Sequence, residues 1–258
     1  MPDPREIAYR AAVESTIHRL LAIGDSLRPG SQVMPEAIAP WSLLQRAQSL
    51  FVAILYLLGG PSDAAVRIVA RSLADLVITI AWLRLDPDTH VRLYAAEQWR
   101  HELEVRQVLE RRHGPNQDER TRHARETKEA VVAQARSLAI EKNVRGVTRR
   151  GPLLPSMRER ANQLATQAAS DAYGLMFTVW SEWNHTGSGS LAVEIEDGHV
   201  AFNEGAPRDD LGIRPLAAAL YAFALAELSR WLDLGVEGEC DALREELVSA
   251  EQRFVSGR

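Results

Sequence analysis

Arg71 and Asp75 stand four residues apart in a stretch that is otherwise apolar, Ile68 to Leu83. At helical spacing they project from the same side. A charge buried without a partner is strongly destabilising, so these two must meet each other or a third polar group. They read either as a self-satisfied pair that fixes helix register or as part of a site, because buried ion pairs also mark sites. A second set closes the segment Tyr173 to Leu191, YGLMFTVWSEWNHTGSGSL. It begins apolar on nearly every side, with Leu175, Met176, Phe177, Val179 and Trp180. Within one helical turn it becomes polar, at Ser181, Glu182, Asn184 and His185, before Gly187-Ser188-Gly189-Ser190. Glu182-x-x-His185 has the spacing of a di-iron ligand pair, but such a site needs a second pair and two more glutamates on facing helices. No metal and no cofactor are expected. Ser181 and His185 can form a hydroxyl–imidazole pair, although no oxyanion feature follows them. A histidine near a helix C-terminus also simply favours the dipole there.

A third set is Arg145, Arg149 and Arg150 beside Gly146 and Gly151. Clustered guanidiniums with glycines suit a phosphate. Few aromatics interleave with them, so a base-stacking platform is not indicated. No P-loop, dinucleotide fingerprint or H-E-x-x-H is present. Glu14/His18, Glu97/His101 and Glu119/His123 lie four apart in charged helices and read as solvent-side pairs.

These residues need a scaffold, and apolar periodicity supplies one made of helices. The first runs over 4–28. Pro35 opens a second, which reaches Leu58 and is stopped by Gly59-Gly60-Pro61. Ser62 is the expected N-cap of a third, to Leu85. The second and third carry no polar face over long stretches, which places both in the middle of a bundle. Asp86-Pro87 signals the start of a fourth helix, to about His113, with Val91, Tyr94, Ala95, Trp99 and Val105 facing inward. A charged fifth helix spans roughly 117–142, so 87–142 reads as a helical hairpin at the edge of the bundle. Lys142 to Pro155 reads as a basic, mobile loop. A sixth helix is expected over 156–185, followed by a two-stranded hairpin over 191–203 with a type I′ turn at Asp197-Gly198. A seventh helix, Pro215 to Leu234, and an eighth, about 239–254, close the chain. The expected fold is all-α: one domain over 1–258, a bundle of about eight helices with one small β-hairpin.

Composition agrees with a full apolar core. The chain has 258 residues, 46% hydrophobic and 25% charged, with a net charge of −5, which is ordinary for a globular protein. A single cysteine, Cys240, excludes an intrachain disulfide. MPDPREIAYR has no signal-peptide pattern, and Ile68–Leu83 is too short to span a bilayer. A soluble, cytoplasmic protein without membrane contact is expected. Charge is uneven: residues 87–160 hold 16 Lys+Arg against 11 Asp+Glu, while 182–258 hold 6 against 15. Such runs are usually a solvated face. Strong nucleic-acid binding by the basic middle is not expected, because Glu102, Glu104, Glu110, Glu119 and Glu126 are interspersed with its arginines.

RIVARSLADLVITIAWLRLDPDTHVRLYAAEQW, together with YGLMFTVWSEWNHTGSGSL, resembles the bacterial DUF5677 family of helical proteins over about residues 40–205. The matching positions are Arg71, Asp75, Asp86, Pro87, Arg92, Tyr94, Tyr173, Ser181, His185 and Ser188. Asp75 is one methylene shorter than the family's usual glutamate. The resemblance implies that Arg71, Asp75, Tyr94, Ser181 and His185 converge in one polar pocket, with Glu182 and Asn184 beside them. It carries no established activity with it.

Two classes of function fit. One is an enzyme on a phosphate-bearing substrate or RNA, a hydrolase or RNase of the kind found among HEPN-type defence proteins. The sixth helix, however, lacks the Arg that accompanies His in that type, so only a fold-level analogy supports it. The other is a non-catalytic binding or interaction module, possible also as a homo-oligomer, whose polar cluster is structural. A nucleic-acid or phosphate ligand would bind at 142–150.

Overall fold

The computed structural model describes residues 3–28, 35–58, 63–114, 118–164, 193–196, 199–202 and 210–256. Eight α-helices lie among them: α1 (Pro4–Ser26), α2 (Pro35–Leu58), α3 (Asp63–Leu85), α4 (Pro87–His113), α5 (Glu119–Glu141), α6 (Met157–Gln163), α7 (Asp210–Leu232) and α8 (Glu237–Ser256). Val193–Glu196 (β1) and His199–Phe202 (β2) form an antiparallel ladder, with Val193 opposite Phe202 and Glu196 opposite His199. The expected turn at 197–198 lies outside the described residues, as do Ser62 and 165–185 of the expected sixth helix. Contacts divide the chain into two compact units, Met1–Ala81 with Thr166–Arg258, and Trp82–Ala165.

In the first unit α7 is the hub, packing against α8, α2 and α1. Its buried residues surround the axis: Ala217, Ala218, Tyr221, Ala222, Ala224, Leu225, Ala226 and Leu228. So many alanines let three neighbours approach closely while each contributes little area alone. The sequence places α2 and α3 at the centre instead. That expectation is corrected for α2, which buries one stripe, Leu43, Leu44, Ala47, Phe51, Ile54 and Leu58, and exposes Ile38, Val52 and Tyr56. Apolar content alone misleads here, because a one-sided helical period separates Phe51 from Val52. By length and composition Ala37–Leu58 also qualifies as a membrane span, with mean hydropathy 1.3 and one third (33%) of it buried. α7 begins five residues before Pro215, which lies inside it. Cys240 is buried in α8, and burial pushes its thiol up to about 12.

The second unit is built on the α4–α5 hairpin. Asp86 caps α4 by accepting from the Thr89 N–H at 3.2 Å, and Pro87 occupies its first position. Asp118 caps α5 through the Thr121 N–H at 3.0 Å. Gly114 ends α4 at φ 84°, a left-handed conformation that suits glycine. Ser156 and Glu159 form a reciprocal capping box on α6, which closes the unit.

Candidate functional site

Arg71 and Asp75 sit on α3, both partly buried, and neither is without a partner. The backbone oxygen of Asp75 accepts from Thr79 Oγ1 at 2.6 Å. Tyr94 is partly buried on α4, in the other unit. Tyr173, Ser181, Glu182, Asn184, His185 and Ser188 lie outside the described residues. The structure therefore describes one half of the expected pocket, and the meeting of its parts stays an expectation.

What the structure does place together is a polar cluster on α4 that the sequence reading turned the wrong way. The expected inward residues are Val91, Tyr94, Ala95, Trp99 and Val105. The buried ones are Thr89, His90, Leu93, Ala96 and Glu97, while Ala95 is exposed and Val105 is 60% exposed. Glu97, read as half of a solvent-side pair, is 5% exposed. Arg100 clasps it with two bonds, Nε to Oε2 at 2.9 Å and Nη2 to Oε1 at 2.8 Å. The Leu153 N–H donates to the same Oε2 at 2.8 Å, and His101 Nε2 stands 3.4 Å from Oε1. Burial pushes the Glu97 carboxyl up, but the bonds from Arg100 and Leu153 with the neighbouring charges outweigh it, so it lies below its ordinary value. This is a buried carboxylate with its lone pairs occupied, the condition under which burying a charge is tolerable. Glu14 likewise accepts from Arg214, while its backbone oxygen meets His18 Nδ1 at 2.8 Å.

Glu97 holds down the loop that was expected to be mobile. Residues 142–155 are pinned at several points. Val144 N bonds Ala139 O at 2.9 Å, Arg136 Nη1 reaches Thr148 O at 2.6 Å, and Thr148 Oγ1 accepts from the Gly151 N–H at 2.9 Å. Leu153 is fully buried, and Pro155 is buried with its carbonyl accepting from Arg160 Nε at 3.1 Å. Gly146 has φ 88° and lies so close to Glu159 that a Cβ there would stand 2.6 Å from its carboxylate oxygen. Backbone groups, not charge, decide the loop's order, and sequence composition does not display them. Arg145, Arg149 and Arg150 project from this fixed loop and are all exposed. Among the described residues, neither Arg149 nor Arg150 has a carboxylate within ion-pairing distance. The charge of Arg145 does reach Glu159, whose carboxyl is lowered first by the Ser156 hydroxyl.

The other feature missed is His90. Its ring stacks on Trp82 with centroids 3.7 Å apart and planes 10° apart. Its Nδ1 lies 2.7 Å from the Trp82 carbonyl. That carbonyl is one of the last four of α3 and lacks a helical partner, so Nδ1 carries the proton and donates. Burial lowers the His90 proton affinity more than the carbonyl and Asp86 raise it. Trp82 Nε1 in turn donates to Gln163 Oε1 at 2.8 Å, and Gln163 Nε2 to the Arg145 carbonyl at 3.4 Å. The clue in the sequence is a histidine in the first turn after Asp86-Pro87, close behind a tryptophan that must end a buried helix.

Among the described residues no group of three His, Cys, Asp or Glu side chains is arranged to hold a metal. Glu110-x-x-His113 repeats the Glu182-x-x-His185 spacing, but Glu110 is occupied by Arg125 at 3.0 Å. A family model described as a family of unknown function, DUF5677, matches residues 37–199. No curated protein matches the chain, and no solved structure does.

Proposed function

The chain belongs to the DUF5677 family, and on that premise we propose that it binds a phosphate-bearing ligand at the arginine loop, residues 142–150. One observation supports this reading above the others: three exposed guanidiniums ride on a loop fixed from behind by Glu97, and two of them have no carboxylate partner among the described residues. A preformed loop loses little conformational freedom on binding, and bidentate guanidinium–phosphate bonds are among the stronger polar contacts. The footprint is short. The acids interspersed through the basic middle pair with hairpin cations, so the ligand meets about three charges. For a single strand that predicts a salt slope no steeper than about −2.

The test is fluorescence polarisation with a labelled oligoribonucleotide, competed by inorganic phosphate. Binding should fall by at least about tenfold, or 1.4 kcal/mol, in Arg149→Ala with Arg150→Ala, at unchanged melting temperature. No binding at low salt, or full binding by the double variant, sinks the reading. Arg71, Asp75, Ser181 and His185 remain the proposed catalytic set, with Tyr94, Glu182 and Asn184 around the substrate. Cleavage of RNA that His185→Ala abolishes without altering melting makes the protein an enzyme. Binding without turnover makes it a binding module whose Arg71–Asp75 cluster is structural. We place the 193–202 ladder on the helices, because a lone hairpin is marginal in water.

A further inference from the structure

The distal half of α4 carries a face that, among the described residues, no element of its own unit covers. Val105 is 60% exposed, Val108 43% and Leu109 51%. At 100° per residue they share one line of the helix, continued by Glu102 one turn before and Arg112 one turn after. The opposite side of α4, with Leu103, Arg106 and Glu110 partly buried, meets α5. Isolated exposed apolar residues are ordinary, but three adjacent ones on a charged helix form a patch with a direction.

The charges that flank the patch choose its partner. Glu102 lies at its N-terminal end with a side chain 60% exposed, although Lys128 holds one of its oxygens. Arg112 lies at the C-terminal end, exposed. A stripe that is acidic at one end, apolar in the middle and basic at the other is complementary to itself when reversed. We infer that this face pairs with a second copy of the chain, α4 against α4 in antiparallel register. A two-fold axis near residue 107 sets Val105 against Leu109 of the second copy and Glu102 against its Arg112. Each contact then occurs twice, as in an isologous interface, and the two helix dipoles oppose favourably. A foreign partner would not need the stripe to be its own complement. The patch is small, so the association is weak, with a Kd of about 10–100 µM.

Sedimentation equilibrium of the full chain between about 1 and 500 µM, spanning that Kd, should give a monomer–dimer equilibrium. Val105→Glu with Leu109→Glu should weaken it by at least about tenfold. Glu102→Arg and Arg112→Glu should each weaken it, and the two combined should restore it, since the swap rebuilds the pairing across the axis. Val108→Lys gives the same loss without touching the Glu102–Lys128 pair, and the substitutions at Val105, Val108 and Leu109, all exposed, leave melting unchanged. A monomer at every concentration overturns the inference. So does a dimer indifferent to Val105 and Leu109, which would use another surface, or a charge swap that fails to recover. Arg149→Ala with Arg150→Ala leaves the equilibrium as it is, so this result stands apart from ligand binding at the loop.

Discussion

The arginines of the α4–α5 hairpin and those of the 142–155 loop belong to one compact unit and have one chemistry, yet the chain treats them in opposite ways. In the hairpin, five cations meet acids, while Arg92, Arg111, Arg112 and Arg120 have none within ion-pairing distance among the described residues. Arg125 bonds Glu129 at 2.7 Å and Glu110 at 3.0 Å, Arg100 reaches Glu104, Lys128 reaches Glu102, and Arg122 lies near Glu119 and Glu126. In the loop, Arg149 and Arg150 face solvent with no acid in reach among the described residues. Helical spacing explains the first case, because residues three and four apart meet on one surface. The loop has no such period, so its arginines extend away from the chain that carries them. A net charge over a segment hides this difference: the acids interspersed through 87–160 neutralise the hairpin and leave the loop positive.

The comparison breaks most completely at Glu97, which fixes the loop to the hairpin. Glu97→Ala leaves the Leu153 N–H buried without an acceptor and removes the carboxylate that takes two bonds from Arg100, at a cost of about 3 kcal/mol. Glu97→Gln keeps an oxygen for Leu153 and should lose less. The same group gives the unit an acid limit. Its folded-state proton affinity is depressed, so its contribution is full above the ordinary 4.5 and is lost as pH falls through and below it. His90 acts earlier in the same direction. It is held neutral below its ordinary 6.5, so protonation of the unfolded chain erodes stability as pH falls past that value. Thermal melts from neutral pH downward should show a first decline below 6.5 and a second below 4.5. Glu97→Gln should reduce the second without moving the first, since Asp86 and Glu159 are also held below their ordinary values and keep part of it, and a pH profile identical to wild type would refute the role of Glu97.

Next in size is Gly146. An alanine there must hold φ 88° and put its Cβ against the Glu159 carboxylate, which costs about 1–3 kcal/mol. Because Glu159 also caps α6 through Ser156, the damage should spread to the start of that helix. Chemical denaturation of Gly146→Ala measures the loss, and ligand affinity should fall with it as the loop's arginines lose their setting. An unchanged midpoint would mean that the loop adapts freely, and the contrast with the hairpin would be smaller than described.

How much of this could be read beforehand follows from what kind of interaction carried it. Caps are local, so Asp86-Pro87 located the start of α4 from two residues, and most other helix ends fell within a few residues of their expected places. The face of α4 was misread because its true inward line includes His90, Glu97 and Arg100, residues that polarity assigns to solvent. The burial of Glu97 depends on a backbone N–H 56 residues on, at Leu153, and a partner that distant leaves no mark in composition, whereas His90 meets a carbonyl only 8 residues back, at Trp82. The order of the 142–155 loop was hidden for the same reason. Arg71 and Asp75 were recognisable because two charges in an apolar helix demand an explanation, whatever that explanation is.

The smallest effect sharpens the comparison from the other side. Lys128→Ala removes the cation that bridges α5 to Glu102 on α4, a pair with side chains 26% and 60% exposed. Exposed pairs gain little in water and lose side-chain entropy in holding one geometry, so the expected cost is about 0–1 kcal/mol. What remains should shrink further at 1 M salt, where the Debye length is about 3 Å and the attraction is screened. Ligand affinity at the loop should not change, since Lys128 is held on the hairpin against one oxygen of Glu102. The loop arginines predict the reverse pattern: no effect on melting and a large effect on binding. Denaturation and polarisation measurements on Lys128→Ala and Arg149→Ala side by side therefore separate a cation that serves the fold from one that serves a ligand. If both variants lose binding equally, the hairpin and the loop form one diffuse electrostatic surface, and the pairing of the hairpin's cations does not insulate them from the ligand.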